Sequence, residues 1–146
     1  MEKFLNYFLV DSEERRNLRL AYRSEFEKYL NNCDSNFDPL HNPYSLILLN
    51  LKGSRFGKTL KQIARDIQNF LRLEEDKAEF FMENFRYLVR VIIDLEKKFK
   101  LVKATQWSCP VRKRYELTEK GEECLKNLKR ILERKNEGYK EKLLEV

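Results

Sequence analysis

Six apolar residues, Phe81, Phe85, Leu88, Ile92, Leu95 and Phe99, recur at spacings of four, three, four, three and four. That period is the seam of an amphipathic helix and excludes a strand over the same residues. The reading is one long helix from about Glu74 to Lys98. Glu74, Glu75 and Asp76 at its start, and Lys97, Lys98 and Lys100 near its end, complement the helix dipole. Immediately afterwards the period changes from 3.6 to 2. Leu101, Lys103, Thr105 and Trp107 alternate on one face, and Val111, Tyr115 and Leu117 lie opposite Arg112 and Arg114. Ser108-Cys109-Pro110 between the two runs is a turn, so the segment reads as a β-hairpin. Thr118-Glu-Lys-Gly121 then opens a charged helix with Leu125, Leu128, Leu132, Tyr139 and Leu143 on one stripe.

The residues before the seam are helical as well. Phe4 to Val10 forms a short apolar helix, and Asp11-Ser-Glu-Glu14 has the spacing of a capping box. The helix it opens places Leu18, Tyr22, Phe26, Tyr29 and Leu30 inward and Arg15, Arg16, Arg19 and Arg23 on the other face. Asn31 to Pro43 is a loop dense in Asn, Asp and Pro. Pro43 suits a first helical turn, and Tyr44 to Leu51 is apolar nearly all round, hence buried. Thr59 caps a further helix, Leu60 to Phe70, with Leu60, Ile63, Ile67, Phe70 and Leu71 inward. The chain therefore divides into an N-terminal helical arm (1–42), a core (43–121) and a C-terminal helix (122–146), effectively one domain. Both end helices are candidates for dimerisation.

Charge is distributed unevenly. The whole chain of 146 residues carries +6, while residues 52–114 alone carry +8. A basic middle between neutral or acidic ends is the electrostatic footprint of a nucleic-acid binder. No apolar run reaches the length of a membrane span, and the acidic residues after Val10 do not resemble a signal-peptide cleavage site. A cytoplasmic protein is expected. Three scattered cysteines, Cys33, Cys109 and Cys124, fit reduced thiols better than a disulfide framework.

The order of long helix, charged hairpin and Leu117-Thr118-Glu-Lys-Gly121 helix resembles the winged-helix DNA-binding proteins of the MarR and PadR repressor families. The resemblance covers roughly Tyr44 to Leu132. It implies a mainly α fold with a small β-hairpin, a winged helix-turn-helix carrying extra N- and C-terminal helices. Those families commonly close the long helix with Leu-Glu-x-x-Gly. Here Leu95-Glu-Lys-Lys-Phe99-Lys100-Leu101 has one residue more and no glycine, so the helix must end differently. The family also implies a homodimer bound to double-stranded DNA at near-palindromic sites.

Base readout needs long polar side chains on the exposed face of the inserted helix, and phosphate contacts need Lys or Arg at its flanks. With the seam inward, that face presents Glu83, Arg86, Tyr87, Arg90 and Asp94. The acidic start of the helix would repel phosphate, which moves the reading segment toward Asn84, Arg86, Tyr87 and Arg90. Arg112, Lys113 and Arg114 belong to the wing, while Arg55, Lys58 and Lys61 (with Lys52) surround the turn before the supporting helix. The expected function is a sequence-specific transcriptional regulator, a repressor acting by steric block, without catalytic residues or cofactor. The alternative is a winged-helix module that binds another protein.

Other signals are weaker. Gly53-Ser-Arg-Phe-Gly57-Lys58-Thr59 approaches a P-loop but has three residues between its glycines where four are needed to wrap phosphates. His41 is the only histidine and no Cys-x-x-Cys pair exists, so neither a metal site nor a catalytic triad is expected. Cys109 on the wing turn is a candidate oxidisable thiol, and Cys124 a core residue.

Overall fold

The computed structural model describes residues 2–32, 36–52, 56–106 and 113–135. The arm is α1 (Glu2–Leu9) followed by α2 (Ser12–Asn32). Asp11 caps α2, its Oδ1 accepting from the Glu14 N–H at 2.9 Å. Tyr22, Phe26 and Tyr29 on α2 are buried, as are Leu5, Tyr7 and Phe8 of α1.

Asn42 organises the entry to α3 (Pro43–Leu49). Its Oδ1 caps the helix by accepting from Tyr44 N–H at 2.9 Å, and its Nδ2 donates to Tyr22 O at 2.9 Å. A buried amide is tolerated because both ends are satisfied. Helix α3 is covered on nearly every side and forms the centre of the core. Phe26 stacks on Tyr44 with ring centroids 5.6 Å apart and meets Phe99 edge-on at 5.2 Å, which ties arm to core.

The helix-turn-helix follows. Thr59 and Gln62 form a reciprocal capping box at the start of α4 (Leu60–Leu71). Arg72, with φ 53°, occupies the left-handed position of the turn, and Leu73 N–H closes it onto Gln68 O. The next segment corrects the expectation of one long helix. It is α5 (Glu75–Glu83), a 3-10 turn (Phe85–Leu88) and α6 (Val89–Lys97). Asn84 makes the break: its Nδ2 donates to Phe80 O at 2.8 Å, competing with the backbone ladder, and its φ/ψ of −114°/16° leaves the helical basin. The seam survives, since Phe81, Leu88, Ile92, Leu95 and Phe99 are buried and Phe85, half-buried, packs against the same core.

Helix α6 ends differently from the glycine-closed pattern, as its sequence requires. Phe99 N–H reaches back to Asp94 O and Leu101 N–H to Leu95 O, while Lys100 takes φ 57° in the glycine's stead. The wide loop absorbs the extra residue and buries Phe99.

The wing is three strands, not the expected two. β2 (Val102–Gln106) and β3 (Arg114–Leu117) form the hairpin, and β1 (Lys58–Thr59) adds to β3, giving the antiparallel order β1-β3-β2. Two residues are too few to show alternation, so β1 leaves no periodic trace. With α3, α4 and α5–α6 this is a winged helix-turn-helix. Gly121 lies in the first turns of α7 (Glu119–Lys135), hard against the Leu101 carbonyl, and Thr118 Oγ1 caps that helix by accepting from Gly121 N–H at 3.0 Å.

One core joins all three parts. Tyr22, Phe26 and Tyr29 from the arm and Cys124, Leu128 and Ile131 from α7 are buried in it. The described part of each end helix thus packs against this core. The hairpin turn and the predicted end-helix residues Tyr139 and Leu143 lie outside the described residues.

Candidate nucleic-acid interface

The arm does not stand clear of the α5–α6 segment. Helix α1 docks onto the α5–α6 junction, with Phe8 edge-on to Phe81 at 5.1 Å and Tyr7 Oη donating to Tyr87 O at 3.0 Å. Helix α2 follows alongside α6. Asp94 is the tie: its carboxylate accepts from Tyr44 Oη at 2.6 Å and Arg19 Nη1 at 3.2 Å, with Arg23 Nη1 at 3.7 Å. Asp94 was expected on the solvent face beside Arg90. It turns instead toward the arm, because three donors converge there and leave its side chain 15% exposed. Arg19 and Arg23 likewise face the body of the protein rather than solvent.

These contacts create a cleft of about 730 Å³, walled by Ser12, Arg15, Arg16 and Arg19 of α2 on one side and by Arg86, Val89 and Arg90 on the other, with Tyr7 and Tyr87 between. Arg15 donates through Nε to Tyr7 O at 2.9 Å and through Nη2 to Val10 O at 2.7 Å, and its guanidinium lies 3.5 Å from the Tyr87 ring centroid. Its partners are neutral, so its charge is not cancelled. Arg16, Arg86 and Arg90 are exposed and make no hydrogen bond or ion pair among the described residues. Burial drives the Tyr7 phenol up to about 12. Burial, then the hydrogen bond to Asp94, raises Tyr44 too. Both hydroxyls are neutral donors at physiological pH.

Of the residues singled out in the sequence, Arg86, Tyr87 and Arg90 come together in this cleft. Asn84 does not join them; it is half-buried and its side chain donates to Phe80 O at the helix break. The remaining basic residues gather around the sheet. Lys58 is not free for phosphate, since Nζ donates to Asn50 O and Asp66 Oδ2, both at 2.8 Å. Arg114 is half-buried and its Nη1 donates to Gly57 O at 3.4 Å. Lys61 and Lys113 are exposed. Lys52 meets Lys129 of α7, and that like-charge contact presses Lys129 down to about 8. Arg55 and Arg112 lie outside the described residues, as do Cys33 and Cys109.

Sequence reasoning missed Arg15, Arg16 and Arg19 as members of the site. Their signal was a row of arginines at four-residue spacing (15, 19, 23) on an arm read as solvent-facing. On the other side of the junction, α5 exposes Glu75, Asp76, Glu79 and Glu83. The α5–α6 segment is therefore acidic in its first half and basic around the junction. Among the described residues no cluster of His, Cys, Asp or Glu is placed to hold a metal, and no helix is long and apolar enough to cross a membrane. Comparison with family models, curated proteins and solved structures gives no match.

Proposed function

We propose that this chain is a sequence-specific duplex DNA-binding regulator, a repressor acting by steric block, as its resemblance to the MarR and PadR families implies. The observation that carries the reading is the pair Arg86 and Arg90, exposed, unpaired among the described residues and one turn apart on the second half of the recognition segment. A guanidinium reads guanine through O6 and N7 in the major groove, and two at this spacing address neighbouring base pairs. Lys113 on the wing and Lys61 at the start of α4 supply phosphate contacts. The homodimer implied by the resemblance is part of the proposal, with the arm and the C-terminal helix as its candidate contacts.

A salt series of duplex binding tests this. The affinity of the parent chain falls steeply and linearly in a log–log plot, because phosphate contacts release counterions. Arg86→Glu with Arg90→Glu lowers affinity by about two to four orders of magnitude, at about 1–3 kcal/mol per contact. No duplex binding at low salt sinks the proposal. A second reading, a protein-interaction module, draws on the exposed carboxylates of α5. Under it the double charge swap leaves partner binding intact.

A further inference from the structure

We propose that the arginine cleft between α2 and the α5–α6 junction is a binding site for a small polyphosphate, two or three linked phosphates, and that this ligand competes with DNA. The binding stands independently of the DNA reading; the competition rests on it.

Charge sets the ligand class. Asp94 sits between Arg19 and Arg23 and already balances part of their charge. Arg15 meets only carbonyl oxygens and a ring, and Arg16, Arg86 and Arg90 pair with no carboxylate among the described residues. Four uncompensated guanidiniums converge on one concavity. They repel one another unless an anion lies between them, and two or three linked phosphates carry about three to four negative charges at neutral pH. The planar guanidinium fork matches a phosphate with two parallel hydrogen bonds, which a lysine cluster would not offer.

Shape sets the size. A volume of about 730 Å³ lies within the usual range of small-molecule sites. Duplex DNA offers its phosphates in a spaced row along a ridge, one for about every 3.4 Å of helix axis in each strand. This cleft instead draws charge from two facing walls onto a single volume. Its walls are held in place before any ligand arrives: Tyr7 Oη on Tyr87 O and Arg19 on Asp94 fix α1 and α2 against the junction. Arg86 and Arg90 serve both ligands, whereas Arg16 on the arm serves the small one only.

Isothermal titration of the full chain with inorganic tripolyphosphate, at constant ionic strength, is the direct test. Saturable binding is expected, together with a rise in unfolding temperature. Arg16→Ala and Arg90→Ala each weaken it by about ten- to a hundredfold, the loss of one charge-assisted contact. Lys126→Ala on the exposed face of α7 leaves it unchanged. Absence of saturation, or an equal loss in Lys126→Ala, overturns the site. Duplex binding by Arg16→Ala separates the two phosphate sources. If it stays within about twofold of the parent, the cleft is a separate ligand site; if it falls as far as tripolyphosphate binding does, the cleft belongs to DNA and the proposal fails. Tripolyphosphate binding in a chain that binds no duplex refutes the DNA reading alone.

Discussion

Replacing Gly121 by alanine sets two effects of opposite sign against each other, and the structure decides between them. Gly121 lies within α7, where alanine is favoured over glycine by about 1 kcal/mol on helix propensity alone. A Cβ built at this position, however, falls 2.0 Å from Leu101 O and 3.0 Å from Leu101 C. Relief requires the helix or the Leu101 backbone to retreat by about 1.3 Å, since a carbon rests comfortably against a carbonyl oxygen only near 3.3 Å.

That backbone is pinned. Leu101 N–H donates to Leu95 O at 2.9 Å, Leu101 O accepts from Thr118 N–H at 3.0 Å, and Lys100 O accepts from Thr118 Oγ1 at 2.8 Å. Overpacking of this kind costs about 1–3 kcal/mol, and each weakened hydrogen bond about 1 kcal/mol more. Less the propensity gain, Gly121→Ala is expected to destabilise by about 3 kcal/mol. For a chain of this length that is a fall of about 6–12 °C in Tm. Thermal unfolding followed by circular dichroism measures it, and a urea midpoint that drops at constant m-value confirms a change in stability alone. A Tm equal to or above the parent's refutes the close approach of α7 to the strand that begins the wing.

Three further outcomes are expected. Asp94→Asn removes the charge shared by Tyr44, Arg19 and Arg23 and destabilises by about 1–3 kcal/mol, read by urea unfolding; a change below about 0.3 kcal/mol would show that the tie to the arm is idle. Cys124 is buried and its thiol is pushed up to about 12, chiefly by that burial. Mass mapping after treatment of the native protein with a thiol reagent at pH 8 therefore finds Cys124 unmodified, and rapid labelling there contradicts the packing of α7. The Tyr7 phenol titrates near 10 in the unfolded chain and near 12 in the fold. Its contribution is complete below pH 10 and is lost as pH climbs toward 12, about 2–3 kcal/mol over that window. Tyr7→Phe flattens this part of the stability profile, and an identical alkaline slope in parent and variant excludes the shift.

Much of this architecture was legible in local chemistry. Asp11 before Glu14, Thr59 before Gln62, Thr118 before Gly121 and Pro43 after Asn42 mark helix starts, and each is satisfied by groups two or three residues away. Of the six seam residues from Phe81 to Phe99 five are buried and Phe85 is half-buried, because burial of one face follows from helical period. The absence of a glycine after Lys98 was also enough to require an unusual helix end, and Lys100 supplies it. What period cannot reveal is a break that keeps the period. Asn84 interrupts α5 and α6 with a side-chain bond to Phe80 O, yet the apolar residues stay in phase across it.

The candidate site was readable only in half. Arg86 and Arg90 stood out because a winged helix needs long polar side chains there. That Arg15 and Arg19 approach them from the arm depended on the Arg19–Asp94 pair, 75 residues apart in sequence, and on the Tyr7–Tyr87 bond, 80 apart. The same distance undid the reading of Asp94, Lys58 and Arg114 as solvent-facing, for each found a partner that no local pattern names. Helix starts, core-seeking faces and the place of positive charge can be read along the chain. Those follow from interactions within one or two turns. Which charges are cancelled, and which are left facing one another, emerges only on packing. Charge pairing acts between whichever elements the packed core brings within a few ångströms, and that is a property of the packed chain as a whole.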